Sequence, residues 1–255
     1  MDLGIQGRVA LVTGASSGIG EAVALALAEE GATIAVASRR LSLLDSVALE
    51  AKKRGAVATH AFEVDFEEPG SVGKLLTRVR QTFGDIQILV ANSGGPKPGT
   101  FLDLNLDDWD AGYRNTLRSM LELIQGVVPA MTANGWGRIV ALTSSSVKQP
   151  IPNLALSNAF RTALVSALKT LSIEVAHHGV TVNSIATGRV LTDRLRHLYP
   201  SEDAIRKAAE SEVPTGRVAT PSEFAPLVAF LCGASASYVT GQTLAIDGGL
   251  IKALF

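Results

Sequence analysis

Residues 9 to 20, Val-Ala-Leu-Val-Thr-Gly-Ala-Ser-Ser-Gly-Ile-Gly, restrict the fold more than any other stretch of this chain. An apolar run at 9–12 breaks into a loop carrying Gly14, Gly18 and Gly20. A helical pattern with Val23 and Leu27 on one stripe follows at once. Glycine permits backbone angles closed to other residues and lets a ligand approach the main chain. Unpaired N–H groups at the start of the following helix, backed by its dipole, attract phosphate. Strand, glycine-rich turn and helix in this order therefore predict a site for the pyrophosphate of a dinucleotide, with Gly14, Ser16, Ser17, Gly18, Ile19 and Gly20 as its cradle.

The rest of the chain alternates the same two patterns. Runs at 9–12, 33–37, 58–63, 88–91, 137–143, 181–186 and 242–246 read as strands, several of them continuous Val, Ile, Leu and Ala, as burial on both faces requires. Helical patterns occupy 21–30, 41–54, 71–83, 106–133, 155–178 and 221–231. Short connections between them predict an α/β fold of the doubly wound (Rossmann) kind, a parallel sheet of about seven strands with helices on both faces. No linker or repeat divides the 255 residues, so 1–255 read as a single domain. Residues 189–216 fit least well. They bring Arg189, Arg194, Arg196, His197, Tyr199, Arg206 and Lys207 without a strong core stripe. Such a segment suits either a lid over a site or a solvated helix pair.

Composition narrows the partners. With 23 basic residues against 24 acidic ones and no long basic run, nucleic acid is not expected. The single cysteine, Cys232, lies in an apolar segment and reads as a small buried hydrophobe, not a disulfide or metal ligand. His60, His177 and His178 lack metal-like spacing. No apolar run approaches the roughly 18 residues of a membrane helix. The first strand begins too early to leave room for a signal peptide, so a soluble cytoplasmic protein is expected.

The end of the second strand reads Ala37-Ser38-Arg39-Arg40. Dinucleotide folds that select NAD place a carboxylate here, on the adenosine ribose. This chain offers two guanidinium groups, which match phosphate oxygens in geometry and charge. NADP(H) is therefore expected over NAD(H), the alternative being that both arginines decorate an exposed helix start.

Together these residues resemble the short-chain dehydrogenase/reductase family over essentially the whole chain. Residues 13–20 match its cofactor loop, and Asp65 falls where the family places an acidic residue near the adenine. Asn92-Ser93-Gly94 is similar to its Asn-Ala-Gly turn, with Ala91 replacing the first Asn. Asn115 and Ser144 match its active-site asparagine and catalytic serine. The segment 183–192, with Gly188 and Thr192, resembles the one that holds the nicotinamide amide, although Thr187 replaces proline. The ending Thr240-Gly241-Gln242…Asp247-Gly248-Gly249 is similar to that of bacterial 3-oxoacyl-carrier-protein reductases within the family. The resemblance implies a small carbonyl or alcohol substrate and a homo-oligomer, a tetramer through the helices at 106–133 and 155–178. The apolar residues of those helices (Leu117, Met120, Leu121, Ile124; Leu164, Val165, Leu168, Leu171) fit an interface or a core equally.

One part of the pattern is broken. The family needs a Tyr-x-x-x-Lys pair, and thirteen residues past Ser144 this chain has Ser157-Asn158-Ala159-Phe160-Arg161. The spacing survives and keeps both side chains on one helix face. Carbonyl reduction leaves an alkoxide that a positioned acid must protonate. A serine hydroxyl is shorter and far less acidic than a phenol, so Ser157 can donate a hydrogen bond or hold a water but is a poor general acid. Arg161 can still hold the nicotinamide ribose hydroxyls and stay positive. Of the three tyrosines, Tyr113, Tyr199 and Tyr238, Tyr113 suits core or interface packing, and Tyr199 with His197 lies in the candidate lid. Lys148 has no readable direction, and Lys169 lies two turns beyond Arg161. Two readings follow. One is an NADP(H)-dependent oxidoreductase with an atypical proton donor, using Asn115, Ser144, Ser157 and Arg161. The other is a weak or inactive NADP(H)-binding relative that serves as sensor, scaffold or subunit partner.

Overall fold

Continuous apolar runs become buried strands because helices cover both faces of the sheet. The computed structural model describes residues 2–254. Its strands are β1 (Val9–Thr13), β2 (Thr33–Ser38), β3 (Thr59–Glu63), β4 (Ile88–Ala91), β5 (Gly137–Leu142), β6 (Val180–Thr187) and β7 (Thr243–Ile246). They form one parallel sheet in the order β3-β2-β1-β4-β5-β6-β7. Successive strand residues point to opposite faces. Ala10 and Val12 of β1 thus enter one core with Leu27, Ile34, Leu44 and Phe224, while Val9 and Leu11 enter the other with Leu75, Leu89, Met120 and Leu164. The chain runs outward from β1 through β3 and then returns to lay β4 on the far side of β1. That reversal opens a crevice at the carboxyl ends of the strands, where ligands bind in open α/β sheets.

The helices are α1 (Gly18–Glu29), α2 (Leu41–Lys53), α3 (Ser71–Phe83), α4 (Leu106–Gly112), α5 (Ser119–Ala133), α6 (Ala155–Val175), α7 (Asp193–Leu198), α8 (Glu202–Glu212) and α9 (Pro221–Cys232). The single helix expected at 106–133 is interrupted by a π-helical segment, Tyr113–Arg118, in which Ser119 N–H donates to the Arg114 carbonyl. The i to i−5 bond adds one residue to the turn that carries Asn115. The expected helix at 155–178 ends instead in a 3₁₀ turn, Ala176–His178. Met120, Ile124, Leu164 and Leu168 are buried within the chain's own core, and Leu117, Leu121 and Leu171 pack partly against it. Cys232 is buried, and burial pushes its thiol up to about 12. Among the described residues no helix is long and apolar enough to cross a membrane.

Helix α9 lies against α1 and starts in a reciprocal cap. The Glu223 N–H donates to Thr220 Oγ1 (3.3 Å), and the Thr220 N–H donates to the Glu223 carboxylate (2.8 Å). Arg217 grips that carboxylate with two nitrogens, which with the Thr220 bonds lowers Glu223 to about 2. Thr220→Ala should cost about 1 kcal/mol, read as a lower denaturation midpoint. Because the Glu223 value is depressed on folding, its contribution is present above its ordinary value of 4.5 and is lost as pH falls from there through about 2. An acid titration of the wild-type midpoint checks the sign.

Candidate active site

The loops at the carboxyl ends of β1, β2, β4, β5 and β6 wall a cleft of about 1050 Å³. At its floor the glycine loop uses its three glycines differently. Gly14 and Gly18 take left-handed angles (φ 58° and 62°) that favour glycine. Gly20 is helical, but a Cβ there would overlap the Gly14 carbonyl, so it is needed for close packing. Ser17, the residue before α1, makes no side-chain cap, leaving the first N–H groups of the helix open to the cleft. Neighbouring strands pin the loop. Thr13 Oγ1 donates to the Asn92 carbonyl (2.7 Å), the Asn92 N–H donates back (2.9 Å), and Asn92 Nδ2 reaches the Gly14 carbonyl at 3.3 Å. Opposite, Thr192 stands over Gly18, leaving only 3.0 Å between its methyl and a Cβ built there. Its hydroxyl accepts from the Leu195 N–H and caps α7. Gly188 donates to the Ile246 carbonyl, and a Cβ on it would overlap Asp247.

The two arginines after β2 part ways. Arg40 folds back over the loop, its Nη2 donating to Ser16 Oγ (3.0 Å) and Ser17 Oγ (2.7 Å). Arg39 is exposed, and its one ion pair among the described residues is with Glu67, at 3.9 Å. One guanidinium, two hydroxyls and an uncapped helix start form a cradle of donors that fits the phosphates of a dinucleotide. Asp65 accepts from the Glu67 N–H (3.0 Å), and Gly94 has open space where a side chain would stand.

At the other end of the cleft, Ser144 leaves β5 and accepts from the Ser146 N–H (3.1 Å), opening a 3₁₀ turn. Ser157 is buried on α6 with its hydroxyl 3.4 Å from Ser146 Oγ. Arg161, one turn further, is also buried and donates to the Leu142 carbonyl at 2.9 Å. Desolvation, and after it the charge of Arg194, lowers its guanidinium to about 10. Asn115 donates to Glu67 (3.1 Å), and its Oδ1 is buried without a partner. Asn115, Ser144, Ser157 and Arg161 thus line one cleft with the glycine loop, Asp65, Asn92, Gly188 and Thr192.

Other candidates separate. Tyr113 packs on Phe160, and Tyr238 is fully exposed. Lys169 donates to the Gly241 carbonyl, away from the cleft. Residues 189–216 form α7 and α8, which bury Leu195, Ile205 and Ala209. The segment also lines the cleft with Thr192, Arg194, His197 and Tyr199, and the Tyr199 hydroxyl accepts from Arg189. In the sequence Arg194 is one of several basic residues of the candidate lid, with no site role of its own. Its place two residues past Thr192 was the available signal.

The family model described as Enoyl-(Acyl carrier protein) reductase matches residues 14–251. The NADPH-dependent reductase BacG of Bacillus subtilis is 30% identical, covering 97% of this chain and 99% of its own. The 3-oxoacyl-acyl-carrier-protein reductase of Aquifex aeolicus is 32% identical, covering 98% and 100%. Among solved structures, L-sorbose reductase from Gluconobacter frateurii, complexed with NADPH and L-sorbose, superposes with a TM-score of 0.93 at 33% identity over the whole of both chains. With the parallel sheet, the glycine loop and these matches in agreement, the chain belongs to the short-chain dehydrogenase/reductase family.

Proposed function

We propose that the protein is an NADP(H)-dependent oxidoreductase that interconverts a small carbonyl compound and its alcohol, with a proton donor other than tyrosine. The observation that carries this reading is Arg40 clasped to Ser16 and Ser17 at the mouth of the glycine loop, in one cleft with Ser144 and Arg161. The similarity to NADPH-dependent BacG and to a sorbose reductase bound to NADPH supports it. In this reading Gly14, Ser16, Ser17, Gly18, Ile19 and Gly20 hold the pyrophosphate. Arg40, with help from Arg39, holds the 2′-phosphate. Asp65 flanks the adenine, Asn92 and Gly94 border the sugars, Arg161 holds the nicotinamide ribose, and Gly188 and Thr192 hold the amide. When bound, the reduced nicotinamide supplies a hydride to the carbonyl carbon.

The chain's own residues handle orientation and charge. Ser144 donates a hydrogen bond to the carbonyl oxygen, and Arg161 favours the negative charge that develops there. Ser157 steadies a water that delivers the proton, and Asn115 positions the helix carrying it into the cleft. Residues 189–216 close over the substrate. Holding reactants in contact is worth several kcal/mol by itself, so loss of the phenolic acid slows such a site without silencing it.

A second reading, an NADP(H)-binding protein with negligible turnover, is favoured by one observation: Ser157 is buried with its hydroxyl 3.4 Å from Ser146 Oγ, and among the described residues it makes no hydrogen bond to a tyrosine. Fluorescence titration of NADPH followed by a screen of aldehydes, ketones and 3-oxoacyl thioesters separates the two. Binding with NADPH oxidation is expected. Binding without turnover of any of them leaves the second reading, and absence of binding removes both.

A further inference from the structure

The nicotinamide end of the cleft holds two cations that no carboxylate neutralises. Arg194 donates to the Pro96 carbonyl at 2.9 Å, and Arg161 donates to the Leu142 carbonyl at 2.9 Å; neither forms an ion pair among the described residues. The acids lining the cleft are engaged elsewhere. Glu67 takes Asn115, Asp108 takes Lys97, Asp193 takes Arg196, and Glu212 takes Arg189. Asp65 is closed in its own turn by the Glu67 N–H. Burying a cation without a partner is costly, and two that repel each other in one cleft cost more. Burial lowers both guanidinium pKa values, and the charge of Arg194 pushes Arg161 down further.

Gly95 supplies an independent observation. Its φ is not in the left-handed region, so the backbone does not require glycine there. A Cβ at 95 would instead overlap Nε, Cζ and Nη2 of Arg194, whose guanidinium lies against the bare main chain. The sequence thus keeps a seat open for this side chain at the cleft wall. We propose that the cleft takes a substrate bearing an anionic group, a carboxylate or a phosphate ester, held by Arg194 and favoured by the charge of Arg161. This rests on the carbonyl-reductase reading for which part of the ligand reacts, and it adds the chemistry by which the remainder is recognised. A planar fork of donors suits both anions.

The test reads binding, so it stands whether or not any carbonyl is turned over. Acetoacetate, its neutral methyl ester and hydroxyacetone phosphate are titrated calorimetrically into the protein with and without NADP⁺, which permits no reduction. At least one anion is expected to bind about tenfold or more tightly than the ester, and the tighter of the two identifies the source of the charge. Arg194→Leu should lose about tenfold or more of that affinity, and Arg194→Lys should keep part of it, since the charge remains while the fork is lost. Gly95→Ala, which only displaces the flexible end of Arg194, should reproduce the loss in a folded protein. Equal affinity for acid and ester overturns the proposal. So does an Arg194→Leu variant that loses NADP⁺ affinity by about tenfold while anion binding stands, because Arg194 would then serve the cofactor.

Discussion

Arg40→Ala is expected to weaken NADPH binding by about ten- to a hundredfold and to leave NADH binding within about threefold. A charge-assisted bond to phosphate is worth about 1.5–3 kcal/mol, and Arg40 is placed to make one from a preorganised position, already held by Ser16 and Ser17. Arg39→Ala should cost far less. Its side chain is 67% exposed and leans 3.9 Å from Glu67, where solvent screens it. Parallel titrations of both cofactors against both variants decide the matter. Equal weakening of NADPH and NADH would mean that Arg40 only shapes the loop, and a larger effect at Arg39 would move the 2′-phosphate away from Ser16 and Ser17.

That ranking of two adjacent arginines shows where the sequence stops being legible. The strands, the sheet class and the glycine loop follow from local pattern, because burial on both faces leaves an unbroken apolar run and a phosphate turn needs glycines at fixed spacing. Arg40, non-helical (φ −98°, ψ 81°) just before α2, folds back through bonds to Ser16 and Ser17 more than twenty positions earlier, and residue identity does not carry those contacts. The π-helical segment is hidden for a related reason. It changes the hydrogen-bond ladder from Arg114 to Ser119, yet the buried positions Gly112, Thr116, Met120, Ile124 and Val127 run through it at helical spacing, so the period reads as continuous. Arg194 was hidden by distance along the chain, since its meaning lies in contacts with Gly95 and Pro96, the latter 98 positions away. Ser157 and Arg161 draw attention only through the family resemblance, which implies a tyrosine and a lysine at those two positions. Their surroundings are not legible in the sequence, because the partners of those side chains, Ser146 and Leu142, come from another strand end.

Ser157→Tyr should raise the rate of ketone reduction by about 10²- to 10⁴-fold, the usual worth of a positioned general acid. Ser157 lines the same cleft as Ser144, one helical turn before Arg161, so a phenol placed at 157 borders the space that Ser144 borders. A phenol titrates near 10 when unperturbed, and the neighbouring cation lowers it. The variant should therefore gain a pH dependence that sets in below the range near 10 where Arg161 itself titrates. Reduction needs the phenol protonated, so kcat should be flat at low pH and fall as pH rises through a value below about 10. Adding Arg161→Lys should change kcat less than Ser157→Tyr does, because Arg161 already supplies the positive charge and its bond to Leu142 holds it in place. NADPH affinity, measured alongside, separates a misfolded cleft from a site that does not respond. If affinity holds while the rate and its pH profile stay those of the wild type, the carbonyl does not sit above residue 157, and the missing tyrosine is not what limits this protein.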